Sequence, residues 1–303
     1  MSHALERAPG AAGWPAFVAG LCFACRRCAA AVLLLLAALA PLPAAAEAYS
    51  FGVLPQRSAL LTAQYWNPIL DHVGRKAGVT LALRVARTGV ESSEAAERGE
   101  YDFIYSNHIF QPKVAAAGYR VILRTRDEAI TGQIVTLAES PVRALQDLAG
   151  KEVGFPSRSA FVGYALAYDQ LLRQQVAVVP VFGANQEGIM AQLKAGRIVA
   201  AGVNGVVMKA YAERERIGYR ILWESQPYFN LPVAAHPRVP QAVVAAVAGA
   251  FTGLHEDAEG ARLLAAAAAV VGQLPPLGFR AATPADYRNY VEFYRNTLIQ
   301  ELK

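Results

Sequence analysis

Strand-like and helix-like segments alternate from Tyr49 onward, and near Leu145 the alternation starts again. Residues 49–54, 81–85, 101–105 and 119–123 read as strands by their β-branched and aromatic content. Trp66, Ile69, Leu70 and Val73 recur at helical spacing, with Pro68 tolerable in the first turn of that helix, and a short polar helix is expected near residues 92–97. The second round opens with a short helical lead-in at residues 145–151. It predicts strands at 152–155, 176–181, 199–203 and 219–223, and helices at 160–174, 187–194 and 206–215. After Pro232 the pattern is nearly all helical, over residues 241–254, 256–271 and 284–302. A βαβ rhythm of this kind confines the chain to an α/β fold with mostly parallel, helix-covered sheets.

Two such units in series predict two lobes joined by two crossings, one at residues 131–137 and one at 227–236, where Pro227, Asn230 and Pro232 suit an irregular path. If the helical tail returns to the first unit, lobe 1 comprises residues 47–131 with 235–303, and lobe 2 comprises 132–234. A ligand would then lie between the lobes, near strand C-termini and helix N-termini, and closure would be a hinge motion.

The first 46 residues do not fit this rhythm. Arg26 and Arg27 precede an apolar run from Ala29 to Leu42, and Ala44-Ala45-Ala46 supplies an A-x-A cleavage pattern. This reads as a secretory signal peptide, cut after Ala46 or Ala48. The run, about 14 residues, is short of the roughly 20 a membrane span requires. All three cysteines (Cys22, Cys25, Cys28) lie in this leader, so the mature chain is expected to have no disulfide and to depend on its core. Cleavage removes three arginines and one glutamate, and the net charge falls from +5 to +3. That mild bias, without a Lys/Arg tract, gives no reason to expect a nucleic-acid partner.

The segment Val153-Gly154-Phe155-Pro156-Ser157-Arg158-Ser159-Ala160-Phe161 carries the most chemistry. A strand stops at Phe155, a Pro and two serines follow, and Phe161, Tyr164, Ala165, Tyr168 and Leu172 then recur at helical spacing. Hydroxyls at a helix N-terminus either cap the helix or join its free N–H groups in holding an anion. Arg158 could grip an oxyanion in a bidentate pair or stand in solvent. Tyr105, Ser106, Asn107 and His108 end a strand and begin a helix, which is a ligand position in open α/β sheets and also a natural cap. Tyr65 could cover a ligand or pack on the first strand. Asn185 and Asn204 follow strands and could donate to a ligand oxygen or serve as turn residues. Gln56, Arg57 and Gln133 carry the same ambiguity.

Several segments resemble the substrate-binding proteins of phosphate, phosphite and phosphonate ABC transporters, the phosphonate-type periplasmic family. They are Phe51-Gly52-Val53-Leu54-Pro55-Gln56, Tyr65 to Pro68, Tyr101-Asp102-Phe103-Ile104-Tyr105-Ser106-Asn107-His108, Asp147-Leu148-Ala149-Gly150-Lys151, Phe155 to Phe161, and Gly183 to Asn204. The resemblance implies a type II-like two-lobed periplasmic-binding-protein fold with two hinge crossings and a helical C-terminal tail. It also implies delivery of a captured anion to an ABC permease in the inner membrane. Members hold a phosphonate or phosphite with Ser/Thr hydroxyls and helix amides, with first-lobe tyrosines lining the cleft. Carried over, Tyr65 and Tyr105 are wall residues, and Ser157 and Ser159 belong to the anion loop. The chain departs from the family where members often show Gly-Ser-His-Asp, here Gly183-Ala184-Asn185-Gln186, and at Val199, where an acidic residue is common.

The expected function is therefore that of a monomeric periplasmic binding component for a small oxyanion, with no cofactor. A ligand-sensing subunit that presents its bound molecule to a membrane receptor is the alternative. A hydrolase reading lacks a Gly-x-Ser-x-Gly elbow. No Gly-x-x-x-x-Gly-Lys-Ser/Thr phosphate loop occurs. The four mature histidines (His72, His108, His236, His255) have no close metal-ligand spacing.

Overall fold

The computed structural model describes residues 47–183 and 185–302. The leader and its three cysteines lie outside the described residues. The strands are β1 (Ala48–Val53), β2 (Thr80–Val85), β3 (Phe103–Tyr105), β4 (Arg120–Thr125), β5 (Gly132–Leu137), β6 (Glu152–Phe155), β7 (Val179–Phe182), β8 (Ala200–Asn204), β9 (Tyr219–Glu224), β10 (Pro232–Ala235) and β11 (Phe279–Ala281). The main helices are α1 (Ala59–Ala77), α2 (Gly89–Glu97), α3 (Leu166–Arg173), α4 (Gln186–Lys194), α5 (Gly205–Glu215), α6 (Gln241–Gly253), α7 (Ala258–Val271) and α8 (Arg288–Asn296). Among the described residues no helix is long and apolar enough to cross a membrane.

Two sheets form, in strand orders β11-β4-β10-β3-β1-β2 and β7-β6-β8-β5-β9. Each is half of what the βαβ rhythm predicts. β1 pairs in parallel with β2 and β3, and β6 with β7 and β8, as crossover helices require. The remaining pairings, through β4, β10 and β11 in the first sheet and β5 and β9 in the second, are antiparallel. The sheets are mixed rather than mostly parallel because β5 and β10, the strands that follow the crossings, enter their sheets from the opposite end.

The crossings are also shorter than the sequence suggests. Residues 132–137 already form β5 of the second sheet, and residues 232–235 form β10 of the first. Between them, Ile130 and Tyr228 exchange two backbone bonds of 2.8 Å, which tie the two crossing segments side by side. The C-terminal part returns to the first sheet, where α6 and α7 cover α1 and β11 adds an edge. β10 and β11 are only four and three residues long, too short to show period-two alternation in a helix-rich context.

α1 starts where the Ser58 hydroxyl accepts from the Leu61 N–H and ends at Gly78, whose φ of 72° suits the left-handed cap. Its buried face presents Trp66, which packs its ring against Phe51 (5.1 Å), Tyr65 (5.3 Å), Tyr105 (4.8 Å) and Phe279 (6.0 Å). Trp66 thus joins α1 to β1, β3 and β11 and fixes the wall that carries both candidate tyrosines. Trp66→Ala is expected to lower unfolding stability by about 3–5 kcal/mol, read by urea denaturation.

Candidate functional site

β6 delivers the chain to residues 156–160, and a single wide π turn (Phe161–Ala165) then leads into α3. Ala160 occupies the N-cap position and offers no side-chain acceptor. The N–H groups of Tyr164 and Ala165 both donate to the Ala160 carbonyl at 3.0 Å, and the Ala160 N–H donates to Ser157 at 3.2 Å. The N–H groups of Phe161, Val162 and Gly163 find no acceptor among the described residues, although all three residues are buried. Buried helix-end donors are nearly always satisfied, and here they point with the positive end of the helix dipole. Neither serine caps the helix. Their hydroxyls lie 3.2 Å from one another and remain free to turn toward a ligand.

Two glycines beneath the turn hold it there. A Cβ on Gly132 of β5 would meet the Val162 carbonyl at 2.4 Å, and one on Gly202 of β8 would meet the Gly163 carbonyl at 2.4 Å. The turn therefore rests directly on strand backbone. Gly163 in turn leaves room for the Gln186 amide, which would lie 2.7 Å from a Cβ at that position. The Gln186 Oε1 accepts the Asn204 N–H at 3.2 Å, so its Nε2 is left as a donor beside the helix end.

The first lobe meets this loop directly. His108 Nε2 donates to the Ser159 carbonyl at 3.0 Å, and the Ser93 hydroxyl lies 2.7 Å from His108 Nδ1. A carbonyl only accepts, so the imidazole carries its proton on Nε2. Burial, opposed by hydrogen bonding to the Ser159 carbonyl, pushes the His108 pKa down to about 4. Gly89, the first residue of α2, is in close contact with the Ser159 side chain: a Cβ there would lie 2.7 Å from Ser159 Oγ.

Tyr65 and Tyr105 flank Trp66. The Tyr65 hydroxyl donates to Gln273 Oε1 at 2.9 Å, and burial pushes its pKa up to about 12. Burial likewise holds the Tyr105 phenol well above its usual range. Both phenols stay neutral and oppose no anion. Ser106 is fully buried, and its hydroxyl accepts the His108 N–H at 3.0 Å. Asn107, also buried, has no partner for Oδ1 among the described residues.

The profile of the periplasmic substrate-binding proteins of phosphonate ABC transporters matches residues 51–287. The chain belongs to this family. Solved structures with the same fold include a phosphonate-transporter binding protein from Pseudomonas aeruginosa, with 13% identity, 82% of this chain and 85% of that one covered, and a TM-score of 0.65. A Prochlorococcus marinus protein in complex with methylphosphonate gives 13% identity, 82% and 97% coverage and a TM-score of 0.66. A Xanthomonas citri protein bound to ATP gives 17%, 82%, 96% and 0.67. At these identities the likeness is one of fold. No curated protein matches the chain by sequence.

Within this phosphonate-binding family the chain's own departures have structural consequences. Arg158 is engaged with its own lobe and the C-terminal segment. Its guanidinium lies 4.7 Å over the Phe182 ring and 3.1 Å from Glu301, and the side chain is 64% exposed. Asn185 caps α4, where Oδ1 accepts the Gly188 N–H at 2.8 Å. Asn204 caps α5 through the Val206 N–H at 3.0 Å. Their carbonyl oxygens serve helix ends rather than a ligand. Gln133 Nε2 and the Thr131 hydroxyl both donate to Glu224 Oε1 at 2.7 Å, and the Gln133 bond leads in holding that carboxyl below its usual range. The sequence reading missed Gln186 and Gly89 as neighbours of the loop. The only sequence signal for either was its place at the start of a helix that follows a strand.

Three expectations follow from these contacts and from the open face of α6. Gly132→Ala forces the Val162 carbonyl away and is expected to cost about 1–3 kcal/mol in urea denaturation. Gly249→Ala, in α6 with nothing within 4 Å of the new methyl, is expected to stabilise by up to about 1 kcal/mol. His108 binds a proton less readily when folded than when unfolded, so its contribution is fully present above about pH 6.5 and is lost as pH falls toward 4. Stability measured by denaturation should decline over that window by about 3 kcal/mol, and His108→Gln should flatten most of the slope. His236, also shifted down by burial, contributes the same sign.

Proposed function

We propose that this chain is the exported binding component of an ABC importer, and that it captures a small oxyanion of the phosphonate, phosphite or phosphate class between its two sheets. The observation that carries this reading is the buried, uncapped N-terminus at Phe161, Val162 and Gly163, flanked by the Ser157 and Ser159 hydroxyls, which bond to each other and not to the helix end. Amide donors and a helix dipole suit an anion held without a countercharge. With Arg158 engaged by Glu301, the anion would be held by neutral donors, Gln186 Nε2 among them. The approach of Gly89 and His108 to Ser159 favours a compact headgroup, with Tyr65 and Tyr105 on the opposing wall.

The two sheets act as lobes in this reading: residues 47–131 with the C-terminal part against the remainder, with the second boundary near residue 231 where β10 begins. The Ile130–Tyr228 bridge lies where the hinge would bend. A permease in the inner membrane would receive the ligand, which places the mature protein in the periplasm.

Methylphosphonate, phosphite and phosphate are the probes. At about 100 times its dissociation constant, a ligand should stabilise the protein by about 2.7 kcal/mol in a thermal or chemical unfolding assay. Ser157→Ala/Ser159→Ala should weaken binding by at least about tenfold, the loss of one or two hydrogen bonds to a charged group. Binding unchanged in the double variant would remove the loop from the site, and no response to any oxyanion would remove the anion.

A further inference from the structure

The C-terminal segment touches both lobes and the crossings between them. On the first lobe, the Tyr287 ring stacks on Phe110 at 5.2 Å. Over the second crossing, the Tyr287 hydroxyl donates to the Asn230 carbonyl (2.8 Å) and the Tyr290 hydroxyl to the Phe229 carbonyl (2.7 Å). On the second lobe, Tyr290 stacks on Phe161 with centroids 4.3 Å apart and planes 24° from parallel. Phe161 is the residue that opens the π turn of the anion site.

Beyond α8 the chain lies along α3. Asp169, 4% exposed, accepts from the Thr297 hydroxyl (2.8 Å), the Leu298 N–H (2.6 Å) and Arg173 Nε (2.6 Å). Arg173 also donates to the Asn296 carbonyl at 2.6 Å. Glu301 then accepts from the Tyr164 hydroxyl at 2.9 Å and from Arg158 at 3.1 Å.

We propose that residues 287–301 are a strap, a third link between the lobes that holds the anion-binding turn and favours the closed state, with Asp169 and Thr297 as its releasable latch. Two extended crossings alone leave a hinge with few constraints. A third link closes a ring, so opening must break one of its ends. The end on the first lobe is aromatic: Tyr287 and Tyr290 are both fully buried, and peeling them away would expose apolar surface. The second-lobe end combines the stack of Tyr290 on Phe161 with the polar bonds of Asp169 and Glu301. Water can replace those polar bonds at small net cost, so the latch is the part of that end most readily released. Thr297 and Asp169 are positioning residues: they act on the ligand through Phe161, Tyr164 and α3 and do not touch it. Only the affinity consequence of the strap rests on the oxyanion reading; the conformational consequence stands apart from it.

The test compares the full mature chain with Thr297→Val and Thr297→Ser, using small-angle scattering without ligand and calorimetric titration with methylphosphonate, phosphite and phosphate. Thr297→Val should be more expanded than wild type when unliganded and equally compact when saturated. It should bind about tenfold more weakly, because the competent closed population falls. Thr297→Ser, which keeps the hydroxyl, should match wild type in both. A merely structural role would lower stability without changing the unliganded dimensions. If Thr297→Val does not fold, Arg173→Gln, which removes donors to Asp169 and Asn296 from a partly exposed side chain, takes its place with the same expectation. A folded latch variant as compact as wild type without ligand overturns the strap. If no oxyanion binds wild type, the oxyanion reading fails and the scattering comparison alone decides the strap.

Discussion

The π turn at Phe161–Ala165 rests on two strands whose glycines give it no side chain to stand on, and the site depends on that contact. Because the Val162 carbonyl presses against the backbone of β5, the Gly163 N–H at the other end of that peptide plane projects away from the strand; the Gly163 carbonyl presses likewise on β8, and the Tyr164 N–H across that bond donates to the Ala160 carbonyl. A regular helix start with a serine cap would satisfy one of the turn's free donors internally. The wide turn places Ala160 where the cap should be, and the donors remain. The proposed anion chemistry would thus be a consequence of packing geometry, and the serines beside it are available because the turn does not use them.

Two further layers hold this arrangement in place. From the first lobe, neutral His108 donates to the Ser159 carbonyl and pins the loop without adding charge. From the C-terminus, aromatic stacking on Phe161 and hydrogen bonds to Asp169 and Tyr164 fix the helix that follows. The loop is therefore held at both ends by elements that arrive from far along the sequence. In the proposed reading, such contacts tie the anion loop to the relative position of the two lobes.

Much of this was legible in the sequence. The alternation of period-two and period-3.6 patterns marked both α/β units, and the strand–Ser–helix junction marked the loop now proposed to hold an anion. β10 and β11 were not legible, because neither Pro232–Ala235 nor Phe279–Ala281 has the run of β-branched and aromatic residues that marked the equally short β3, β6 and β7. The parallel-to-antiparallel ratio was not legible either, since the direction in which β5 and β10 enter their sheets is set by tertiary packing. Arg158 had claims both as a ligand cation and as a surface residue, and nothing local reveals Glu301, which lies 143 residues away. Asn185 and Asn204 had equal claims as caps and as donors; the bonds to Gly188 and Val206 show that each caps through Oδ1, which leaves its Nδ2 able to donate. The serines show the opposite case: the cap that looked natural from sequence is undone by a π turn that no propensity encodes.

The central claim is that the amides of Phe161, Val162 and Gly163 receive an anion. Titration of isotope-labelled protein with methylphosphonate, phosphite and phosphate, followed by amide NMR, reads those three groups one by one. The account predicts that with at least one of these anions all three signals move saturably and together, with the largest downfield displacements in the spectrum. If an anion binds while those three signals stay in place and the changes fall elsewhere, the account is contradicted.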